Sequence, residues 1–202
     1  MTTETNQSNK SMKLHPITSR LRVGIAYFAL FAGLLLCGFA QTRITTGAKV
    51  NLLKNPSFEK GLEGWEFGSA TKVGTAAPDL IVKRDGAMSI RIDNTTGDDS
   101  SILQKFPVKP ATRYRFSGVI KTKGVVAKNR AATLSLMGSW DGSKSVSGSG
   151  NWEKVSVEFD SGGEPTITVA VRLGHWGSLA IGTAWFDDLA VEEIGPSARA
   201  KR

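Results

Sequence analysis

Residues 50–194 predict an all-β fold, an antiparallel β-sandwich or jelly roll, preceded by one N-terminal hydrophobic helix. Three observations carry this expectation. Short alternating or continuous apolar runs recur along the body. Clusters of Gly, Asn, Asp and Ser separate them, and no stretch of the body keeps a period of 3.6. Many short strands spaced this way favour two packed sheets, and about 145 residues suffice to bury one core between them.

The elements follow in order. Residues 1–22 are polar and basic, with Lys10, Lys13, Arg20 and Arg22 against Glu4. Val23 to Ala40 then carries no charge. It reads as a signal peptide with a small-x-small site at Gly38-Phe39-Ala40, or as a retained signal anchor, since its length nearly spans a bilayer. The basic flank keeps the N-terminus cytoplasmic in either case, so the body is expected to be exported: secreted, periplasmic or at the cell surface. Leu36 speaks against a lipoprotein anchor at Cys37, where a small residue is expected. Residues 41–49 form a linker, and 195–202 a loose basic tail.

Within the body, strands are expected near 50–53, 64–68, 79–83, 88–93, 101–106, 112–120, 131–140, 152–159, 166–173 and 184–193. The alternation is clearest in Thr112-Tyr114-Phe116, in Val155-Val157-Phe159 and in Ile167-Val169-Val171-Leu173. Breakers fall at Thr96-Gly97-Asp98-Asp99, Trp140-Asp141-Gly142-Ser143, Ser147–Gly150 and Ser161-Gly162-Gly163.

The formal net charge of +8 suggests a phosphate-binding surface, but the excess sits in the segments before residue 50 and after residue 198. The body itself is balanced, with as many acidic as basic side chains, which argues against nucleic acid as a partner. Membrane contact is expected only through the N-terminal segment. The single cysteine, Cys37, lies in the apolar stretch, so the body has no disulfide, no thiolate nucleophile and no cysteine zinc site.

Two end motifs stand out. Asn55-Pro56-Ser57-Phe58-Glu59, with Gly64-Trp65 after it, opens the body. Trp185-Phe186-Asp187-Asp188-Leu189 opens the last strand. Pro56 biases Asn55 toward extended geometry, Phe58 enters the core, and Glu59 stays at its edge. Asp187 shares the parity of Leu189 and Val191 and so points inward, where a carboxylate needs a partner. Glu59 and Asp187 with backbone carbonyls suit a hard cation such as calcium, with Asp188 and Asp85 as further ligands. A Lys or Arg partner, or a turn cap, is the alternative for Asp187.

The opening Asn-Pro-Ser-Phe-Glu with Gly-x-x-Gly-Trp resembles the start of carbohydrate-binding modules of the cellulase- and xylanase-associated type, which have the galactose-binding-like jelly roll. Lys83-Arg84-Asp85-Gly86-Ala87-Met88-Ser89-Ile90, Asn151-Trp152-Glu153-Lys154-Val155 and Phe186-Asp187-Asp188-Leu189 are similar to later motifs of those modules, in the same order. The resemblance covers about residues 50–194. It implies a structural calcium ion near the first and last strands, with Glu59 and Asp187 matching its side-chain ligands and Asp85–Ser89 matching the segment that supplies backbone oxygens.

Sugars offer apolar faces to aromatic rings and hydroxyls to polar groups. Trp65 and Trp152 lie in fold motifs and read as core or rim. Trp185 alternates with Phe186, so one of the two faces outward. Trp140 and Trp176 lie in turns and are the expected platforms for a polysaccharide or glycan, with Arg172 and Asp141 as hydrogen-bonding candidates. Loop tryptophans that fold back onto the sandwich edge are the alternative. His175 is the body's lone histidine, and no nucleophile elbow, Walker loop or His-rich metal motif is present. Non-catalytic carbohydrate binding is therefore the expected function, with no catalytic residue assigned. A cell-envelope protein-interaction module on the same fold, and a small glycoside hydrolase using two carboxylates, remain as alternatives.

Overall fold

The computed structural model describes residues 50–197. The expected N-terminal helix, its signal or anchor role, the linker and the end of the basic tail lie outside the described residues. The described residues form nine strands: β1 (Glu66–Ser69), β2 (Thr75–Asp79), β3 (Ser89–Asp98), β4 (Ser100–Pro107), β5 (Thr112–Ala127), β6 (Ala132–Leu136), β7 (Gly148–Asp160), β8 (Thr166–Leu173) and β9 (Ala180–Pro196). They make a four-stranded sheet in the order β1-β4-β8-β6 and a five-stranded sheet in the order β2-β3-β9-β5-β7. Every pairing is antiparallel. The sandwich predicted from the sequence is the fold.

The core lies between the sheets. Ile90, Ile92, Phe116, Ile120 and Phe186 of the five-stranded sheet and Ile102, Leu134, Val169 and Val171 of the other have no exposed surface. Burial of each large side chain of this kind contributes about 1.5–3 kcal/mol. Phe58, from the opening motif, is also fully buried and packs on Trp65 with ring centroids 5.1 Å apart. Trp152 is half-buried at the rim.

Several expectations need correction. Residues 50–53 lie along β9 without forming a strand, because the Asn51 side chain replaces part of the ladder. Its Nδ2 donates to the Leu189 carbonyl, its Oδ1 accepts from the Val191 amide, and the Leu52 amide donates to the Val191 carbonyl. The expected strand at 79–83 is a turn, and the strand lies earlier, at β2. Asp79 Oδ1 accepts from the amides of Ile81 and Val82, both at 2.9 Å, and this local cap outcompetes extension. The strand expected over 131–140 stops at Leu136, before Gly138, whose φ is 80°. The last strand runs from Ala180 to Pro196, past both ends of the expected 184–193. Asn55 is not extended: its φ is 46°. Its amide group donates to the Gly61 carbonyl and its Oδ1 accepts from the Lys60 amide, which holds the left-handed conformation that asparagine tolerates.

Trp185 and Phe186 are both buried, so neither faces solvent. Phe186 pairs with Ile120 in the core row. Trp185 pairs with Lys121 on the outer row but is covered there, and its Nε1 donates to Asp79 Oδ2 at 2.8 Å.

Candidate functional site

Three connections meet beside the four-stranded sheet. The β5–β6 connection carries Lys128 and Arg130, the β6–β7 connection carries Trp140, and the β8–β9 connection carries His175 and Trp176. The last is a two-residue hairpin turn. His175 and Ser178 exchange both backbone hydrogen bonds at 3.0 Å, and the central residues have positive φ, 49° at Trp176 and 79° at Gly177. Positive φ at both central positions is the pattern of a type I′ turn, which favours Asn and Gly. A tryptophan there carries a backbone cost of about 1–2 kcal/mol. Such strain at an exposed ring points to a role beyond folding.

Polar contacts hold the cluster together. The amides of Asn129 and Arg130 both donate to Ser178 Oγ, and Trp176 Nε1 donates to the Ser139 carbonyl at 3.1 Å. Arg172 lies beneath Trp176, its guanidinium carbon 5.9 Å from the ring centroid. Arg172 Nη2 donates to Asp99 Oδ1 at 2.7 Å, and both side chains are buried. The other oxygen of Asp99 accepts from the Gly177 amide at 3.2 Å. One carboxylate therefore anchors both the turn and the cation behind its tryptophan.

The two expected platforms come together. Trp140 is 69% exposed and Trp176 42%, with ring centroids 5.8 Å apart and planes tilted by 39°. The His175 ring lies 6.0 Å from Trp140 and is buried. These residues, with Lys128, Arg130 and Ser178, line a groove of about 590 Å³. Arg172 and Asp141 stand behind or beside it. Asp141 is exposed, and its Oδ2 accepts from Ser139 Oγ, which bends the loop that presents Trp140. Sequence reasoning missed Lys128, Arg130 and Ser178 as members of this site. They carry no local motif, and only the packing of the β5–β6 connection against the hairpin brings them in.

The polar chemistry of the groove is unusual. Both ring nitrogens of His175 and Arg130 Nη1 are buried without a hydrogen-bond partner. Burial first, then the positive fields of Arg172 and Arg130, push the His175 pKa down to about 4, against an opposing pull from Asp99. The imidazole is therefore neutral at pH 7, with one donor and one acceptor free for hydroxyls.

The second candidate centre lies at the opening and closing motifs. Asp187 is fully buried, as expected, but for a different reason. It pairs with Val119 on the outer row, whereas Phe186 pairs with Ile120 in the core. A bulge at Asp188, with φ 50°, then shifts the alternation by one residue and returns Leu189 and Val191 to the core. The 82–88 loop covers the carboxylate. Asp187 Oδ2 accepts from the amides of Arg84 and Asp85, and Oδ1 from the amide of Asp188. Burial raises the Asp187 pKa more than these amides lower it. Glu59 meets the same loop, accepting from the amides of Ala87 and Met88 at 2.8 and 3.4 Å. Asp85 and Asp188 are exposed; Asp85 accepts from the Gly86 amide, and Asp188 lines a groove on the outer face of the five-stranded sheet. Among the described residues no set of three or more His, Cys, Asp or Glu converges as a metal site. Both carboxylates accept from backbone amides of the 82–88 loop, the segment expected to supply backbone oxygens to a cation.

The outer-face groove, about 620 Å³, is lined by Arg115, Ser117, Lys154, Ser156 and Glu158 among others, with no aromatic ring. Stacking is available at the tryptophan groove and not there.

The family model of the carbohydrate binding domain matches residues 50–176. The chain belongs to this family. The segment that carries the match is thus a carbohydrate binding domain. The carbohydrate binding domain is 26% identical over 173 residues to the tRNA nuclease WapA of Bacillus subtilis (strain 168), covering 76% of this chain and 7% of that protein. It is 25% identical over 166 residues to exochitinase 1 of Streptomyces olivaceoviridis, covering 82% of this chain and 25% of that protein. The chain thus spans a small part of the length of these relatives. Among solved structures, the enzymatically active domain of bacteriophage CBA120 tailspike protein 4 superposes with a TM-score of 0.57 at 14% identity, covering 72% of this chain and 22% of that one. That likeness is one of fold.

Proposed function

We propose that the carbohydrate binding domain holds a polysaccharide or glycan in the groove between Trp140 and Trp176. The observation that carries this reading is the pair of exposed indole rings 5.8 Å apart, standing beside a buried histidine with two unpartnered nitrogens. Trp140 offers the more open face for stacking. Trp176, backed by Arg172 and tied to Ser139, is the fixed second wall. His175 supplies hydrogen bonds to hydroxyls, whose formation relieves ring nitrogens otherwise buried unsatisfied, and Arg130 lines the groove beside it. A protein-contact module is disfavoured because both loop rings stay exposed, and a glycosidase because no carboxylate lines the groove.

A structural calcium ion belongs to the same reading. Glu59 and Asp187 would hold it, and it would pin the 82–88 loop to β9. Its support is the buried Asp187 carboxylate, which accepts from backbone amides and, among the described residues, pairs with no basic side chain. Export of the domain, cleaved or anchored at residues 23–40, is supported by the basic flank and uncharged run of the sequence.

A glycan array and polysaccharide pull-down with the full chain test the groove. Trp140→Ala and Trp176→Ala are each expected to weaken binding by about tenfold or more, as truncating a dominant aromatic anchor costs about 2 kcal/mol. Binding that survives both substitutions would move the site elsewhere.

A further inference from the structure

The groove is charged on one side only. Its titratable lining groups are Lys128, Arg130 and His175, and no acidic side chain lines it. Asp99, the nearest buried carboxylate, is already paired to Arg172 and to the Gly177 amide. Asp141 is exposed and bonded to Ser139. The positive charge of Lys128 and Arg130 is therefore uncompensated within the groove, in a body that is neutral as a whole.

Arg130 adds a second, independent observation. Its Nη1 is buried against the β6–β7 connection, where a Cβ placed on Gly142 would come within 2.6 Å of it, and it has no partner. His175, 1% exposed, has both ring nitrogens buried without a partner. A neutral hydroxyl answers the imidazole, but it is a weak answer to the half-buried Arg130 guanidinium. Charge-assisted bonds are roughly twice as strong as neutral ones, and a carboxylate matches the guanidinium fork.

We infer that the groove selects an acidic sugar: a pyranose that stacks on Trp140 and places an anionic substituent, a carboxylate or a sulfate, against Arg130 and Lys128, while His175 bonds a ring hydroxyl. This rests on the reading of the groove as the sugar site. It adds the chemical class of the ligand, which the tryptophans by themselves leave open.

Isothermal titration of the full chain tests it with galacturonate oligomers and their methyl esters, which share a backbone and differ in charge. A second arm uses dextran sulfate and dextran. The acid form of at least one pair is expected to bind tenfold or more tighter than its neutral counterpart, and the arm that responds identifies the anionic group. Lys128→Gln and Arg130→Gln are each expected to cost about tenfold on the acid form and little on the neutral form. Lys105→Gln, an exposed charge on β4, is expected to change neither. Equal affinity for acid and ester, an equal loss with Lys105→Gln, or no binding to any acidic glycan overturns the inference. Where binding is lost in Trp140→Ala yet indifferent to charge, only the acidic specificity fails and the groove stands. Where binding ignores Trp140 and Trp176, the groove assignment itself fails.

Discussion

Replacing Asp99 with alanine is expected to unsettle both the stability of the domain and its binding groove. The wild-type carboxylate accepts from Arg172 Nη2 at 2.7 Å and from the Gly177 amide at 3.2 Å, and the Asp99 and Arg172 side chains are each 7% exposed. Removing one member of a buried pair leaves a desolvated charge, at a cost of about 3–5 kcal/mol. Arg172 has few other partners: its Nε is already unpaired, and Nη1 reaches only the Met137 sulfur at 3.5 Å. For a domain of about 150 residues, an unfolding entropy near 2.1 cal/mol/K per residue turns that cost into a fall in Tm of roughly 10–16 °C. Differential scanning calorimetry measures it. Adding Arg172→Met to Asp99→Ala removes the stranded charge and is expected to recover most of the loss, to within about 2 kcal/mol of wild type. Both variants release the Gly177 amide and the support of Trp176, so both are expected to bind glycan more weakly. A Tm shift below about 3 °C for Asp99→Ala, or no recovery in the double variant, would refute the buried-pair reasoning.

Three other predictions concern titrating groups. Burial tends to raise the pKa of Asp98, but donors from Ser69, Thr71, Gly74 and Asp99 outweigh it and hold the carboxyl well below its usual range. A depressed acid contributes stability that is complete above its unfolded pKa, near 4, and fades as pH falls toward the folded value. Asp98→Ala, which strands the buried amides of Gly74 and Asp99, is expected to cost about 3–5 kcal/mol at pH 7 in urea unfolding and to flatten the acid limb. His175, lowered to about 4, has the opposite charge type but the same trend: the folded state prefers the neutral ring, so stability is complete above the unfolded pKa near 6.5 and falls between there and about 4. A His175→Gln variant is expected to lose that limb, and an unchanged pH profile between 4 and 6.5 would contradict it. Asp187, raised by burial, runs the other way: protonation favours the fold as pH drops through its elevated value. Calcium is expected to raise the wild-type Tm and chelator to reverse this, while Asp187→Asn responds to neither. A wild-type Tm indifferent to calcium would remove the ion from the proposal.

The alternation of β5 and β7 is legible because each strand buries one row against the opposite sheet, and a period of two then repeats in the sequence. The misplaced elements share a cause. Asn51, Asn55 and Asp79 use side-chain oxygens and amides to replace or cap backbone pairing, and no apolar pattern records that substitution. The bulge at Asp188 hid the true row of Asp187 for a similar reason: one extra residue resets the parity on which the inward assignment depended.

For the site, the residue types and turn positions of Trp140 and Trp176 mark them in the sequence as candidate platforms. Local sequence determines that much, because a tryptophan in a tight turn has no strand row to retreat into. It also carried the family resemblance and the two end motifs. That the two rings stand 5.8 Å apart, that Arg130 and Lys128 face them, and that Arg172 is spent on Asp99 were decided only by tertiary structure. Those contacts join connections tens of residues apart, through hydrogen bonds to single groups such as Ser178 Oγ and the Asp99 carboxylate. Pairings of that kind are set by how the sheets pack, and their chemistry leaves no periodic trace along the chain.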